Sequence, residues 1–178
     1  MKSTAVYREA RQTLAPWCKK NGFRRTSGGM LGWYRPLGDE FVVFWLQCSQ
    51  DGWDAYAGSK FVVEFQRSPS KSIGDLKSVV RHRLPYFLRD DELQTVQAMQ
   101  NEVIAQLPQP PEDYFVYGIS ESVAKWYRAK FEPIREPYTN QSDIWLRYQQ
   151  PSHVQQWAEF LLALLPRILE QVETETAR

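Results

Sequence analysis

Apolar positions recur at helical spacing near both ends of the chain. The first set predicts an amphipathic helix over Ser3–Lys20, with a kink or an early end at Pro16, because proline lacks a backbone donor. In the second set, Ser152 and Gln155 form a capping box that precedes a broad apolar face over residues 154–172. We therefore expect an N-terminal and a C-terminal helix, each with one face available for a core.

The stretch Phe41–Gln66 shows the period of two that is typical of strands. Its Asp51-Gly52 step is a strong signal for a two-residue hairpin loop. The register that follows pairs Cys48 with Ala55, Leu46 with Ala57, and Val42 with Phe61. One face is then apolar throughout: Val42, Phe44, Leu46, Cys48, Ala55, Ala57, Phe61, Val63 and Phe65. The Gly58-Ser59 step leaves two alternatives open, a bulge or a long loop with pairing only from Lys60 onward.

The opposite face of the first strand carries a second apolar group. Phe41, Val43 and Trp45 point away from the predicted core face, and Tyr56 would lie diagonal to Trp45. If the last helix packs there, the sheet is buried on both sides. If no element covers them, Trp45 and Tyr56 form an exposed patch, and we name them as candidate binding residues.

The rest of the chain alternates between shorter elements. We expect strands over residues 30–35 and 143–148 with a turn at Pro36–Gly38, and a short edge strand over 114–118. We also expect a short helix over residues 76–88 and a peripheral helix over 90–107. Strands flanked by helices without βαβ alternation predict an α+β fold, an antiparallel meander of about three to five strands packed with the terminal helices. We expect one domain spanning residues 1–178.

Composition narrows the class of protein. The chain is 43% apolar, and 22 Lys and Arg against 21 Asp and Glu leave a net charge of +1, so it has no global attraction for nucleic acid or anionic lipid. Cys18 and Cys48 fall in a predicted helix and a predicted strand, and we expect two reduced, buried thiols. Without an apolar leader or a run of about 20 apolar residues, a cytoplasmic protein with no membrane partner is expected.

Few residues in the sequence indicate catalytic or metal-binding chemistry. The sequence contains no Walker loop, Rossmann fingerprint, HExxH, GxSxG or paired CxxC, so we predict no cofactor, metal site or catalytic residue. Arg81, His82 and Arg83 are interpreted as a solvated basic helix face, with an anion-binding cleft or enzyme site as the alternative. His153, beside a helix cap, is expected at the surface.

A basic-aromatic segment precedes the hairpin. Arg24, Arg25 and Trp33 could stack on and neutralise a single-stranded nucleic acid. The same pattern arises on an amphipathic strand with snorkelling arginines, and the balanced charge favours that second interpretation. We therefore do not expect nucleic acid as the partner.

One ordered set of short motifs resembles a known family. A helix leads into "NGFRR", then "GWYR", then "VVFWLQCSQDG" and "KFVVEFQ". This resembles the mostly bacterial domain of unknown function numbered forty-three-zero-four. The matching positions are Gly22, Phe23, Trp33, Tyr34, Leu46, Gln47, Ser49 and Phe61. The resemblance spans roughly the first 70 residues and implies an α+β fold and a bacterial source, but no activity.

These observations support three functional hypotheses. The first is a non-catalytic protein-interaction module, neutralising or regulatory, because aromatic residues are enriched at interfaces. The second is a small-molecule or anion binder, or an enzyme, with a cleft near Arg81-His82-Arg83. The third is a single-stranded nucleic-acid binder.

Overall fold

The computed structural model describes residues 1–111, 114 and 120–175. The helices are α1 (Ser3–Lys20), α2 (Asp90–Ala105), α3 (Glu121–Arg128) and α4 (Pro151–Thr174). The strands are β1 (Arg24–Arg25), β2 (Leu31–Leu37), β3 (Glu40–Cys48), β4 (Ser59–Ser68), β5 (Val80–Arg83) and β6 (Leu146–Tyr148). Short 3₁₀ helices follow β5 at Leu84–Phe87 and α3 at Ala129–Phe131.

The strands form one antiparallel sheet in the order β1-β2-β3-β4-β5, and β6 pairs with the other end of β4. Antiparallel strands packed with helices from both ends of the chain confirm the predicted α+β architecture. β5 and β6 therefore lie end to end along the same edge of β4, a placement that brings residues near 60 and 147 together.

The predicted hairpin register is wrong. Cys48 lies opposite Phe61, Leu46 opposite Val63, and Val42 opposite Arg67. The chain forms a long tip instead, whose turn is organised by Asp54 and by Gly58 in the left-handed region (φ +67°). This is close to the alternative in which pairing begins near Lys60. Because the two registers differ by an even number of residues, the residues that pair between β3 and β4 keep their predicted faces.

The first face of the sheet is covered by α1 and α4, which also pack on each other. Its core contains the predicted strand residues Val42, Phe44, Leu46, Phe61, Val63 and Phe65. From the helices it receives, among others, Val6, Leu14, Leu161 and Leu165. α1 runs unbroken past Pro16 to Lys20, so the early end considered for this helix is wrong.

The second face is covered at one end by the irregular connection between β4 and β5. Trp45 is only 1% exposed, and the Ile73 side chain reaches the backbone of Gly32 beside it. The Gln66 side chain, fully buried, donates to the Ser72 carbonyl and accepts from the Gly74 amide. The last helix is not what buries Trp45; a loop whose backbone bonds to a buried glutamine does so.

Several local predictions need correction. The helix expected over residues 76–88 is wrong, since β5 and a 3₁₀ helix occupy 80–87. β2 extends through Pro36 to Leu37, so the turn lies later, at Gly38. The strand predicted over residues 114–118 lies outside the described residues apart from Tyr114. Within the described part of the chain, no helix has the length and apolar character needed to cross a membrane.

Candidate functional site

A cleft of about 400 Å³ opens where the hairpin tip, α2, α3 and the segment 129–147 meet. It lies at the end of the second sheet face that the β4–β5 connection leaves uncovered. The volume is in the range of small-ligand sites. Cationic and aromatic side chains face it: Lys60, Lys130, Arg147, Trp126, Tyr138 and Trp145. We call it the Lys130 cleft.

Sheet pairing brings two of the cations together. Arg147 of β6 lies directly opposite Lys60 of β4, so both side chains project from the same face. The Lys60 ammonium lies 5.1 Å from the centre of the Trp145 ring, and the Arg83 guanidinium lies 5.4 Å from it. Trp145 therefore forms an aromatic wall between the Lys130 cleft and the arginines of β5.

A buried glutamine holds the β6 side of the cleft in place. Gln100 of α2 is 2% exposed, accepts a hydrogen bond from the Arg147 amide (2.9 Å) and donates one to the Trp145 carbonyl (2.8 Å). The side-chain amide of Gln100 thus makes the hydrogen bonds to the backbone at the free edge of β6 that a further strand would make. The Arg147 guanidinium in turn donates to the Lys130 carbonyl at 2.8 Å, fixing the segment after α3.

Asp54 ties the hairpin tip to α3. Its carboxylate accepts bonds from the Tyr56 and Ala57 amides and from the Tyr127 hydroxyl at 2.6 Å. Partial burial opposes its ionisation, but the hydrogen bonds from Tyr127 and the two amides outweigh burial and lower the Asp54 pKa. An aspartate in a turn commonly bonds the backbone of its own turn in this way.

Burial and charges of both signs act on Lys130 in the cleft. Burial lowers the pKa of Lys130; the carboxylates of Asp51 and Asp54 oppose this effect, and the charges of Lys60 and Arg147 add to it. Burial also lowers the pKa of Arg147. Within the described chain, neither Lys130 nor Arg147 has a carboxylate oxygen within 4.0 Å. The positive charges of Lys60, Lys130 and Arg147 repel one another, and a bound anion would relieve that repulsion.

Four carboxylates also border the Lys130 cleft, and two of them are firmly engaged. Asp54 is bound to Tyr127, and Asp143 pairs with Arg83. Asp51 reaches Lys60 at 3.7 Å from an exposed position, and Glu132 is exposed at the rim. Lys60 is therefore paired with Asp51, whereas Lys130 and Arg147 have no carboxylate oxygen within 4.0 Å among the described residues.

The three basic residues named from sequence do not converge. Strand alternation places Arg81 and Arg83 on the second face, where both contact the buried carboxylate of Glu64. His82 points to the first face, where its ring stacks on Tyr86 at 3.6 Å and its Nε2 lies 3.5 Å from a Glu175 oxygen. Of the three, only Arg83 reaches the Lys130 cleft, through Trp145 and Asp143.

The other candidate pair is separated as well. Trp45 is buried, with the Arg81 guanidinium 5.4 Å from its ring centre, so it forms no exposed patch. Tyr56 is not diagonal to it; Tyr56 lies in the hairpin tip and makes an edge contact with Tyr114. The alternative in which Trp45 and Tyr56 form an exposed patch is therefore wrong, because Trp45 is buried.

In the basic-aromatic segment, Arg25 and Trp33 make contacts within the fold. Trp33 is 2% exposed and belongs to the core, and Arg25 lies over its ring while donating to the Gly32 carbonyl. Arg24 lies exposed on the edge strand β1. Trp33 has no accessible ring face on which a base could stack.

The prediction that His153 lies at the surface is wrong. It is 3% exposed, and its Nδ1 accepts a hydrogen bond from the Gln149 amide, which leaves Nε2–H to donate to Gln106. Burial lowers its pKa, against the opposing charge of Glu102. Cys18 is buried as expected, whereas Cys48 is only partly buried; both are free thiols.

Comparison with protein-family models, curated proteins and solved structures found no match. The resemblance to the domain of unknown function therefore stays a prediction. Among the residues that the structure describes, no cluster of histidine, cysteine and carboxylate side chains has the makeup of a metal site.

Proposed function

We propose that this protein is a binding module that holds an anionic ligand in the Lys130 cleft. The observation that carries the proposal is the convergence of Lys60, Lys130 and Arg147 on one concave surface, where Lys130 and Arg147 have no carboxylate partner among the described residues. Two of the bordering carboxylates, Asp54 and Asp143, are engaged with Tyr127 and Arg83, which favours binding over acid–base chemistry.

Titration with inorganic phosphate and with citrate tests this proposal directly. Calorimetry on the full chain should give saturable binding of at least one of the two anions. Lys130→Gln should weaken it about ten-fold, as expected for loss of one charge-assisted contact. Arg147→Lys keeps the charge and should weaken binding less than Arg147→Gln.

The matched control is Arg11→Gln, which removes an exposed charge from α1 on the other side of the sheet. Its affinity should equal that of the unmodified chain. If neither anion binds in the millimolar range, or if Lys130→Gln and Arg11→Gln bind equally well, the Lys130 cleft is not an anion site. Lys130→Gln should fold normally, because the Lys130 ammonium makes no hydrogen bond to the described residues.

A further inference from the structure

Two apolar side chains on α3 extend the Lys130 cleft onto the surface. Trp126 is 57% exposed and Val123 is 47% exposed, whereas Ala124 and Tyr127 of the same helix are buried. Residues three apart are neighbours on a helix, so Val123 and Trp126 form one continuous apolar strip. Since Trp126 also lines the cleft, the strip leads from open surface to the three cations.

The Trp126 ring is held beside a charge. The Lys130 ammonium lies 3.8 Å from the ring centre, a close cation–π contact. A ligand that reaches Lys130 therefore meets the indole at the same time. An anion that also carries an apolar group would gain both contacts, whereas a bare anion leaves Trp126 and Val123 uncovered.

The carboxylates at the rim restrict the kind of anion. Asp51 and Glu132 are exposed beside the cations, so a uniform polyanion such as a nucleic-acid backbone would place phosphates next to them. A peptide can place isolated carboxylates at Lys130 and Arg147 and neutral groups elsewhere. Charge complementarity and the adjoining apolar strip thus both favour a protein segment.

We infer that the occupant of the Lys130 cleft is an acidic segment of a partner protein that packs an aromatic or large aliphatic side chain on Trp126 and Val123. This inference rests on the proposed anion site and specifies its ligand. It makes the protein an interaction module in which the cations near Lys130 select acidic residues and Trp126 supplies the anchor.

Four probes titrated into the full chain by calorimetry distinguish the alternatives. The first is a ten-residue capped peptide with four glutamates around one phenylalanine. In the second peptide serine replaces the phenylalanine, and in the third glutamines replace the glutamates. The fourth probe is a ten-nucleotide single-stranded DNA. The first peptide should bind about ten-fold tighter than either other peptide and tighter than the DNA.

Two exposed apolar residues provide matched variants. Val123→Ala, at a position outside the lining of the cleft, should reduce the advantage of phenylalanine over serine while leaving phosphate affinity unchanged. Leu76→Ala, which trims a 98% exposed side chain on the β4–β5 connection, should alter neither. Lys130→Gln should weaken the first peptide and phosphate alike.

The results distinguish a failure of the peptide inference from a failure of the proposed anion site. If phosphate or citrate binds but the first peptide binds no tighter than its serine version, the peptide inference is overturned and the anion site stands. If the DNA binds tightest and loses affinity steeply with salt, the ligand is a nucleic acid, which overturns the inference. If none of the anions or peptides binds, both proposals are wrong.

Discussion

Gly58 lies where the hairpin tip returns to the sheet beside β6. Its φ of +67° falls in the left-handed region, and a Cβ at this position would overlap the Tyr148 carbonyl oxygen and lie 3.0 Å from the Gln149 Cα. Backbone atoms cannot move aside as a flexible side chain can. The position therefore requires glycine for two independent reasons, conformation and space.

Gly58→Ala should destabilise the fold by about 3 kcal/mol, the sum of left-handed strain and overlap with β6. Gly52→Ala is the control, since Gly52 also has a positive φ (+78°) but nothing lies within 4 Å of its Cβ position. We expect only about 1 kcal/mol there. Urea unfolding measures both; equal losses would mean that contact with Tyr148 costs nothing.

His153 links stability to pH. Its pKa is lowered in the fold from 6.5, so below about pH 6.5 the unfolded chain binds a proton that the folded chain binds less readily. Stability should therefore fall as pH decreases through 6.5 and level off below the folded-state pKa. His153→Gln should flatten this part of the profile of unfolding free energy against pH. A slope unchanged in the variant would assign it to other groups.

At the scale of elements, the end of α4 is held by a strand. The Arg67 guanidinium of β4 donates to the carbonyls of Val172 (3.3 Å) and Glu173 (2.7 Å). The last carbonyls of a helix have no partners within it, so this side chain supplies what the helix lacks. The contact joins β4 to the C-terminal helix across the first face of the sheet.

Arg67→Met keeps most of the aliphatic part of the side chain and removes the guanidinium that donates to the two carbonyls. We expect about 1–2 kcal/mol lower unfolding free energy, and faster amide exchange confined to the last turn of α4. Arg24→Met on the exposed strand β1 should stay within about 0.5 kcal/mol of the unmodified chain. Equal effects of the two substitutions would contradict the role given to Arg67.

The sequence was sufficient for elements defined by long periodic patterns. α1 matches its predicted bounds of Ser3–Lys20. Apolar residues that recur at helical spacing over eighteen residues are not compatible with the period of two of a strand. The hairpin register failed because the Asp51-Gly52 signal is local and was outweighed by the bonds of Asp54 within the tip. The face assignment survived, since it depends only on alternation.

The Lys130 cleft could not be predicted in the same way. Lys60 is distant in sequence from Lys130 and Arg147, and they meet because the short strand β6 pairs with the start of β4. A strand was predicted over residues 143–148, but its sequence does not indicate which strand it pairs with. Conversely, Arg81, His82 and Arg83 are adjacent in sequence, but strand alternation divides them between two faces.

For the whole molecule, one continuous core connects elements from both ends of the chain. Residues of α1, α2, α4 and the central strands share it, among them Leu14, Val96, Leu165 and Phe44. We therefore expect thermal unfolding to be a single cooperative transition, with coincident curves from far-UV and near-UV circular dichroism. Two separated transitions would show that the chain comprises independent units.

Leu165→Ala tests the same core from one position. Leu165 is fully buried, so its truncation should cost about 2–5 kcal/mol. Both spectroscopic curves should shift together, since the cavity weakens a core shared by the helices and the sheet. A shift in only one of them would contradict a common core.

The Gln100 amide that occupies the edge of β6 has a consequence for association between copies. An uncovered strand edge is a template on which another chain can add, and Gln100 blocks that template with a side chain. Gln100 is part of α2, so Gln100→Leu would keep the helix beside β6 while removing both hydrogen bonds. We expect this variant to aggregate as its concentration rises, as measured by light scattering, under conditions in which the unmodified chain does not.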